Sequence, residues 1–167
     1  MTIPPHLIFD PYAPVPATMG KINRRRLQEL RVAYQESIQA QDATYPLKSA
    51  EMVYAYIKPH LEHLKVEQVM LIPVNTRNIP IEGPILISRG DMDGADCGAR
   101  LILRAALVAG AYAFFLAHNH PTGDPEPSAL DISVTRNIMK AADVVGCALI
   151  DHIIVGRGRF MSIRTRL

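Results

Sequence analysis

The chain has 167 residues, of which 49% are hydrophobic and 20% charged, with a formal net charge of +2. That size and balance suit a folded domain with one substantial core and exclude a disordered or collagen-like chain. So small a charge gives no general electrostatic basis for nucleic-acid binding, and no window of 18 apolar residues implies a membrane span.

Residues 1–44 read as a separate N-terminal region. Pro4, Pro5, Pro11, Pro14 and Pro16 remove backbone donors, so an extended arm is expected, lying on the domain or on a neighbouring subunit of a homo-oligomer. The start lacks the charged-then-apolar order of a secretion signal, and a cytoplasmic protein is expected. Cys97 and Cys147 are then unpaired thiols in a reducing compartment. Lys21 and Arg24-Arg25-Arg26, the one dense basic cluster, read as a solvated arm or helix start rather than a phosphate contact. Residues 27–35 suit a helix or a strand, with Arg31-Val32-Ala33-Tyr34 favouring the strand, and residues 39–45 a polar connection.

Residues 45–167 form the main domain. Ser49 is placed to cap a helix running to about His63, with Glu51 in its first turn and an apolar stripe of Met52, Tyr56 and Ile57. Pro59 is expected to kink or shorten it. Residues 66–74 read as a buried strand, Asn75 to Asn78 as a hairpin turn, and 85–88 as a second strand. A helix over 100–109 precedes a short buried strand over 112–117 that stops at two histidines. Ser128 to Val145 is the last long helix, with Gly146 at its C-cap, followed by strands over 147–155 and 160–163. Alternating helices and strands of this kind make an α/β/α sandwich around one mixed sheet.

The chemistry gathers at His118-Asn119-His120, Ser128 and Asp131. Side chains two apart on an extended backbone point the same way, so both imidazoles can converge on one ion. The stiff segment Pro121-Thr-Gly-Asp-Pro-Glu-Pro127 then leads to Asp131 in the first turn of the next helix, on the face of Val134, Ile138 and Ala142. Two imidazoles and a carboxylate suit zinc with one coordination position left for water or substrate. Ser128-x-x-Asp131 is also a capping box, and one carboxylate oxygen can hardly cap the helix and bind metal at once. A hydrolase needs a base as well, and Glu67, at the start of an apolar strand, is the candidate. His60 and His63 read as a solvated helix end, and His152 as a hydrogen-bonded core histidine beside the site.

The run from His118 to Asp131 resembles the JAMM motif, HxHx7Sx2D, of the JAB/MPN metalloprotease superfamily. With Asp151-His-Ile-Ile-Val-Gly156, Ile87-Ser-Arg-Gly90 and Phe160-Met-Ser162, residues 45–165 resemble its bacterial RadC branch. The resemblance implies a JAB/MPN, cytidine-deaminase-like architecture. It implies zinc held by His118, His120 and Asp131, Ser128 steadying an oxyanion, Glu67 as base, and a peptide or protein substrate cut at an amide or isopeptide bond. The alternative is a binding module of DNA repair or mobile DNA, or a metal-dependent nuclease, without peptidase activity. The chain departs from the RadC pattern at Gly98-Ala99-Arg100-Leu101, where His-Pro-Arg-Glu is common, and at Asn75, where an aspartate is common. The arm is also too short and proline-rich for the helix-hairpin-helix region of chromosomal relatives, so a DNA role resting on that region does not transfer.

Overall fold

A computed structural model of the protein describes residues 45–90 and 97–167. The proline-rich arm, the element at 27–35, the basic cluster and the side chain of Cys97 lie outside the described residues.

The first helix, α1 (Ala50–Leu61), begins where Ser49 Oγ accepts the Met52 N–H at 3.3 Å. It buries Val53, Tyr56, Ile57 and Leu61, so the stripe runs through Val53 rather than the half-buried Met52. Pro59 sits inside the helix, which ends at Leu61, two residues before His63. Strand β1 (Gln68–Val74) is buried along its whole length. The turn after it is built by Asn75, whose Oδ1 accepts the N–H groups of Arg77 and Ile79, while Asn78 takes the left-handed conformation at φ 58°. The chain then runs on through a Val74–Pro80 bridge before β2 (Ile85–Arg89) begins, so the link is longer than a tight hairpin.

Helix α2 (Cys97–Val108) leads to β3 (Ala113–Asn119), then α3 (Ala129–Val145), β4 (Ala148–Val155), β5 (Phe160–Ser162) and a closing 3-10 turn over Ile163–Arg166. The sheet order is β2-β1-β3-β4-β5, with β3 and β4 parallel and the other pairs antiparallel. The expected end of β3 at Ala117 is corrected. His118 still pairs with Val69 and Ile154, and Asn119 with Val155, so the strand carries the first histidine within its ladder. Both central strands, β1 and β3, are buried throughout because helices cover both sheet faces.

One apolar layer packs α1 (Val53, Ile57, Leu61) on Met70, Ile72, Phe115 and Ala117. The other packs α2 and α3 (Ile102, Ala106, Val134, Ile138) on Val69, Leu71, Phe114 and Leu116. Alternation along β3 therefore turns His118 toward α3 and Asn119 toward α1. Gly146 ends α3 in the left-handed conformation at φ 70°. Cys147, just beyond it, has a free buried thiol. No helix among the described residues is long and apolar enough to cross a membrane.

Candidate metal centre

The parallel connection β3–α3–β4 brings the carboxyl end of β3 against the N-terminus of α3, where open α/β sheets commonly place their ligand sites. His118 is fully buried there, while His120 and Asp131 are partly exposed. His118 Nε2 lies 3.0 Å from His120 Nε2 and 3.4 Å from Asp131 Oδ1, and His120 Nε2 lies 3.6 Å from Asp131 Oδ2. A tetrahedral ion with bonds of about 2.0–2.1 Å separates its donors by roughly 3.3 Å, so these spacings between the two imidazoles and the carboxylate suit a zinc-sized ion. The donor types fit too, being two imidazole nitrogens and one carboxylate.

Capping and metal-facing roles at Asp131 are divided only in part between its two oxygens, since the capping Oδ2 also lies 3.6 Å from His120 Nε2. Oδ2 accepts the Ser128 N–H at 2.7 Å and the Ser128 hydroxyl at 2.6 Å, completing the capping box, while Oδ1 faces His118. Ser128 Oγ in turn accepts the Asp131 N–H at 3.1 Å. The exposed Ser128 hydroxyl therefore has its proton committed to Asp131, and must swing away from it to donate elsewhere.

The segment 121–127 holds its shape by close packing. Arg157 N–H donates to the Gly123 carbonyl and His120 N–H to the Val155 carbonyl. A Cβ on Gly156 would lie 2.6 Å from the Gly123 oxygen and 2.8 Å from Pro125 Cδ, so only glycine lets these two turns meet. The loop in turn offers the Asp124 carbonyl to His120 Nδ1 at 2.8 Å. A carbonyl only accepts, so Nδ1 carries a proton, and in the neutral ring Nε2 presents its lone pair to the site.

Glu67 immediately precedes β1 and is half-buried. Val69 pairs with His118, and continuing that register two residues sets Glu67 opposite His120, on the sheet face that Val69 shares with α3. Its charge is one of the influences that raise the His120 pKa. Asn119 fixes this approach from the other face. Its Oδ1 accepts the Gln68 N–H at 2.9 Å, and its Nδ2 donates to the Leu64 and Val66 carbonyls at 3.3 and 3.2 Å. These bonds grip the backbone on both sides of Glu67, whose own carbonyl accepts the Gly90 N–H at 2.9 Å.

Electrostatics separate the two histidines. Burial pushes His118 down to about 4, whereas the Asp131 carboxylate raises His120 despite its partial burial. For Asp131 itself burial acts upward, but His120, Ser128 and His118 outweigh it and hold the carboxyl well below its usual range. His152, expected to be a core histidine, is 2% exposed and sits 2.8 Å from His118 Nδ1 and 2.8 Å from Thr135 Oγ1. Burial depresses it strongly. The other pair departs from expectation, because His60 is half-buried and burial pulls it down to about 4.

Three contributors were not singled out from the sequence. Thr135 stands one helical turn beyond Asp131, a spacing that reveals a shared face. Asn119 lies between two histidines on the opposite side of an extended strand, which strand alternation alone would have flagged. Gly156 shows only through its packing.

A mixed-sheet α/β domain that sets an HxH strand end against an SxxD helix start belongs to the JAB/MPN class. The chain is a member of the RadC-like JAB domain family, which matches residues 47–167. It is 39% identical over 112 residues to a protein of Carboxydothermus hydrogenoformans, covering 67% of this chain and 49% of that one. To a protein of Symbiobacterium thermophilum it is 36% identical, over 68% of this chain and 48% of the other. A protein of Methanococcoides burtonii is 32% identical over 74% of this chain and 53% of its own length. All three are called UPF0758 proteins, a name that states no activity. The chain thus spans about half the length of these relatives.

Proposed function

We propose that the domain is a zinc-dependent hydrolase of amide or isopeptide bonds in a peptide or protein substrate. The observation that carries this reading is the convergence of His118 Nε2, His120 Nε2 and the Asp131 carboxylate, whose Oδ1 and Oδ2 lie 3.4 and 3.6 Å from the two imidazoles, with Glu67 opposite His120 in the continued β1 register. Zinc bound there supplies Lewis acidity and a water of lowered pKa. Glu67 takes a proton from the attacking water and passes it to the leaving nitrogen. Ser128, released from Asp131 Oδ2, turns its hydroxyl toward the developing oxyanion, a contact of the kind worth about 2.7–4 kcal/mol in other acyl-transfer sites. Asp131 keeps the helix start in place through the Ser128 N–H while its other oxygen faces His118.

The test is zinc content followed by hydrolysis. Protein purified without added metal is expected to hold about one zinc per chain, and to cleave peptide or isopeptide probes in a chelator-sensitive manner. Glu67→Gln is expected to retain zinc while losing about 10²–10⁴-fold in rate. A His118→Ala variant that matches the wild type in both metal content and hydrolysis would overturn the proposal.

A further inference from the structure

Behind the proposed ligands lies a buried polar chain that runs from His118 through His152 and Thr135 back to the Asp131 backbone. Thr135 Oγ1 is 2.6 Å from the Asp131 carbonyl and 2.8 Å from His152 Nδ1, and His152 Nε2 is 2.8 Å from His118 Nδ1. Thr135, His152 and His118 are each at most 2% exposed, so bulk water cannot complete or exchange these bonds.

The proton positions follow from what each atom can do. The Asp131 carbonyl can only accept, so the single Thr135 proton goes to it. Thr135 Oγ1 must then accept from His152 Nδ1–H. His152 is neutral, since its ring is 2% exposed and bonded only to Thr135 and His118, where an added proton would be a buried charge with no bonded counter-ion. Its Nε2 is therefore an acceptor, and the proton between the rings belongs to His118 Nδ1. His118 Nε2 is left with its lone pair facing His120 and Asp131. The order is fixed at one end by a helix carbonyl, which has no other tautomer to offer.

We infer that Thr135 and His152 are positioning residues that lock His118 as the Nδ1–H tautomer and thereby set the affinity of the site for zinc. The inference rests on His118 being a metal ligand, and it adds two residues that never meet the ion. It also couples the two halves of the ligand set. The residue whose carbonyl ends the chain is Asp131, so one run of hydrogen bonds ties the ligand of α3 to the ligand of β3 through β4. Thr135 bonding back one turn costs the helix little, because its hydroxyl shares a carbonyl already inside α3. Partners of this kind behind a ligating histidine typically change metal affinity by about 10–100-fold.

The test uses the full chain in two measurements. First, ¹⁵N NMR of histidine-labelled, metal-free protein is expected to show His118 protonated at Nδ1 and bare at Nε2, with His152 likewise protonated at Nδ1. Second, zinc affinity by competition with a chromophoric chelator is expected to fall about 10–100-fold in Thr135→Val and to return in Thr135→Ser. Thr135→Val affinity within twofold of wild type, or an Nε2–H His118 in the metal-free wild type, overturns the inference. Equal loss in the serine variant does so too, since a merely structural position would not discriminate hydroxyl from methyl. If the valine variant fails to fold, the wild-type tautomers decide the matter. A wild type that binds no zinc refutes the proposed function, while the NMR still judges the chain.

Discussion

Replacing Asn119 by alanine isolates the clamp behind Glu67 from the proposed ligands in front of it. The side chain is 2% exposed and makes three hydrogen bonds, to the Gln68 N–H, the Leu64 carbonyl and the Val66 carbonyl. Each such bond contributes about 1 kcal/mol net, and a buried N–H left unpaired costs about 1–3 kcal/mol. The Gln68 N–H would be orphaned, so the loss should be about 3 kcal/mol, or roughly 6–12 °C in Tm for a domain of this size. Asn119→Asp should be worse despite its similar shape. It keeps the acceptor for Gln68 but turns a carboxylate oxygen toward two carbonyls that need a donor. Urea unfolding of the metal-free proteins gives both numbers, and zinc titration gives a control. Because Asn119 faces α1 while His118 and His120 face α3, zinc affinity in the alanine variant should stay within about threefold of wild type, by strand alternation. A destabilisation below about 1 kcal/mol, or an aspartate variant as stable as wild type, would refute the clamp.

Gly156→Ala should push the 121–127 segment off the β4–β5 turn, because the new Cβ would meet Gly123 and Pro125 inside 3.0 Å. A loss of about 1–3 kcal/mol is expected, with weaker zinc binding as Asp124 releases His120. His60, held at about 4 by burial in the fold, takes up protons more readily when unfolded, at about 6.5. Stability is thus full above pH 6.5 and falls as pH drops toward 4, by up to about 3 kcal/mol from this residue. His60→Gln should make that limb shallower in a pH series of urea melts, leaving the share of the buried His118 and His152, and an unchanged slope would exclude a contribution from His60. Stripping zinc should lower Tm, since free ligand at about 1,000 times its Kd stabilises by about 4.1 kcal/mol. No shift with chelator would argue against a tightly held ion.

The elements could be read from the sequence wherever a local signal was strong. Ser49 and Ser128 announce helix starts, Gly146 a helix end, and the apolar runs of β1 and β3 their burial on two faces. Local signals were weakest where pairing decided the outcome. Nothing in residues 112–120 says that β3 outlasts its apolar stretch, because the partners that extend it, Val69, Ile154 and Val155, come from elsewhere. At the site, spacing picked out His118, His120, Ser128 and Asp131, which the fold gathers. The surrounding support was less visible. His152 and Thr135 meet only after β4 crosses beside β3, and Asn119 acquires its partners only when β1 docks. His60 looked solvated because its neighbours Glu62 and His63 are polar, yet tertiary packing half-buries it.

Strand β3 divides its labour by parity, and this makes the site intolerant of misalignment. Even positions 118 and 120 face α3 with their imidazoles, while odd position 119 grips the approach to β1 from beneath. A slip of one residue against β1 would exchange the two faces. Both imidazoles would be driven into the apolar layer under α1, and the amide would be left in their place. Such a molecule would still have a sheet and helices, but neither a donor set nor a tethered carboxylate. If the site holds zinc as proposed, folding errors in this region should therefore yield chains wholly without it rather than chains with a weakened centre, and metal content becomes a count of correctly registered molecules.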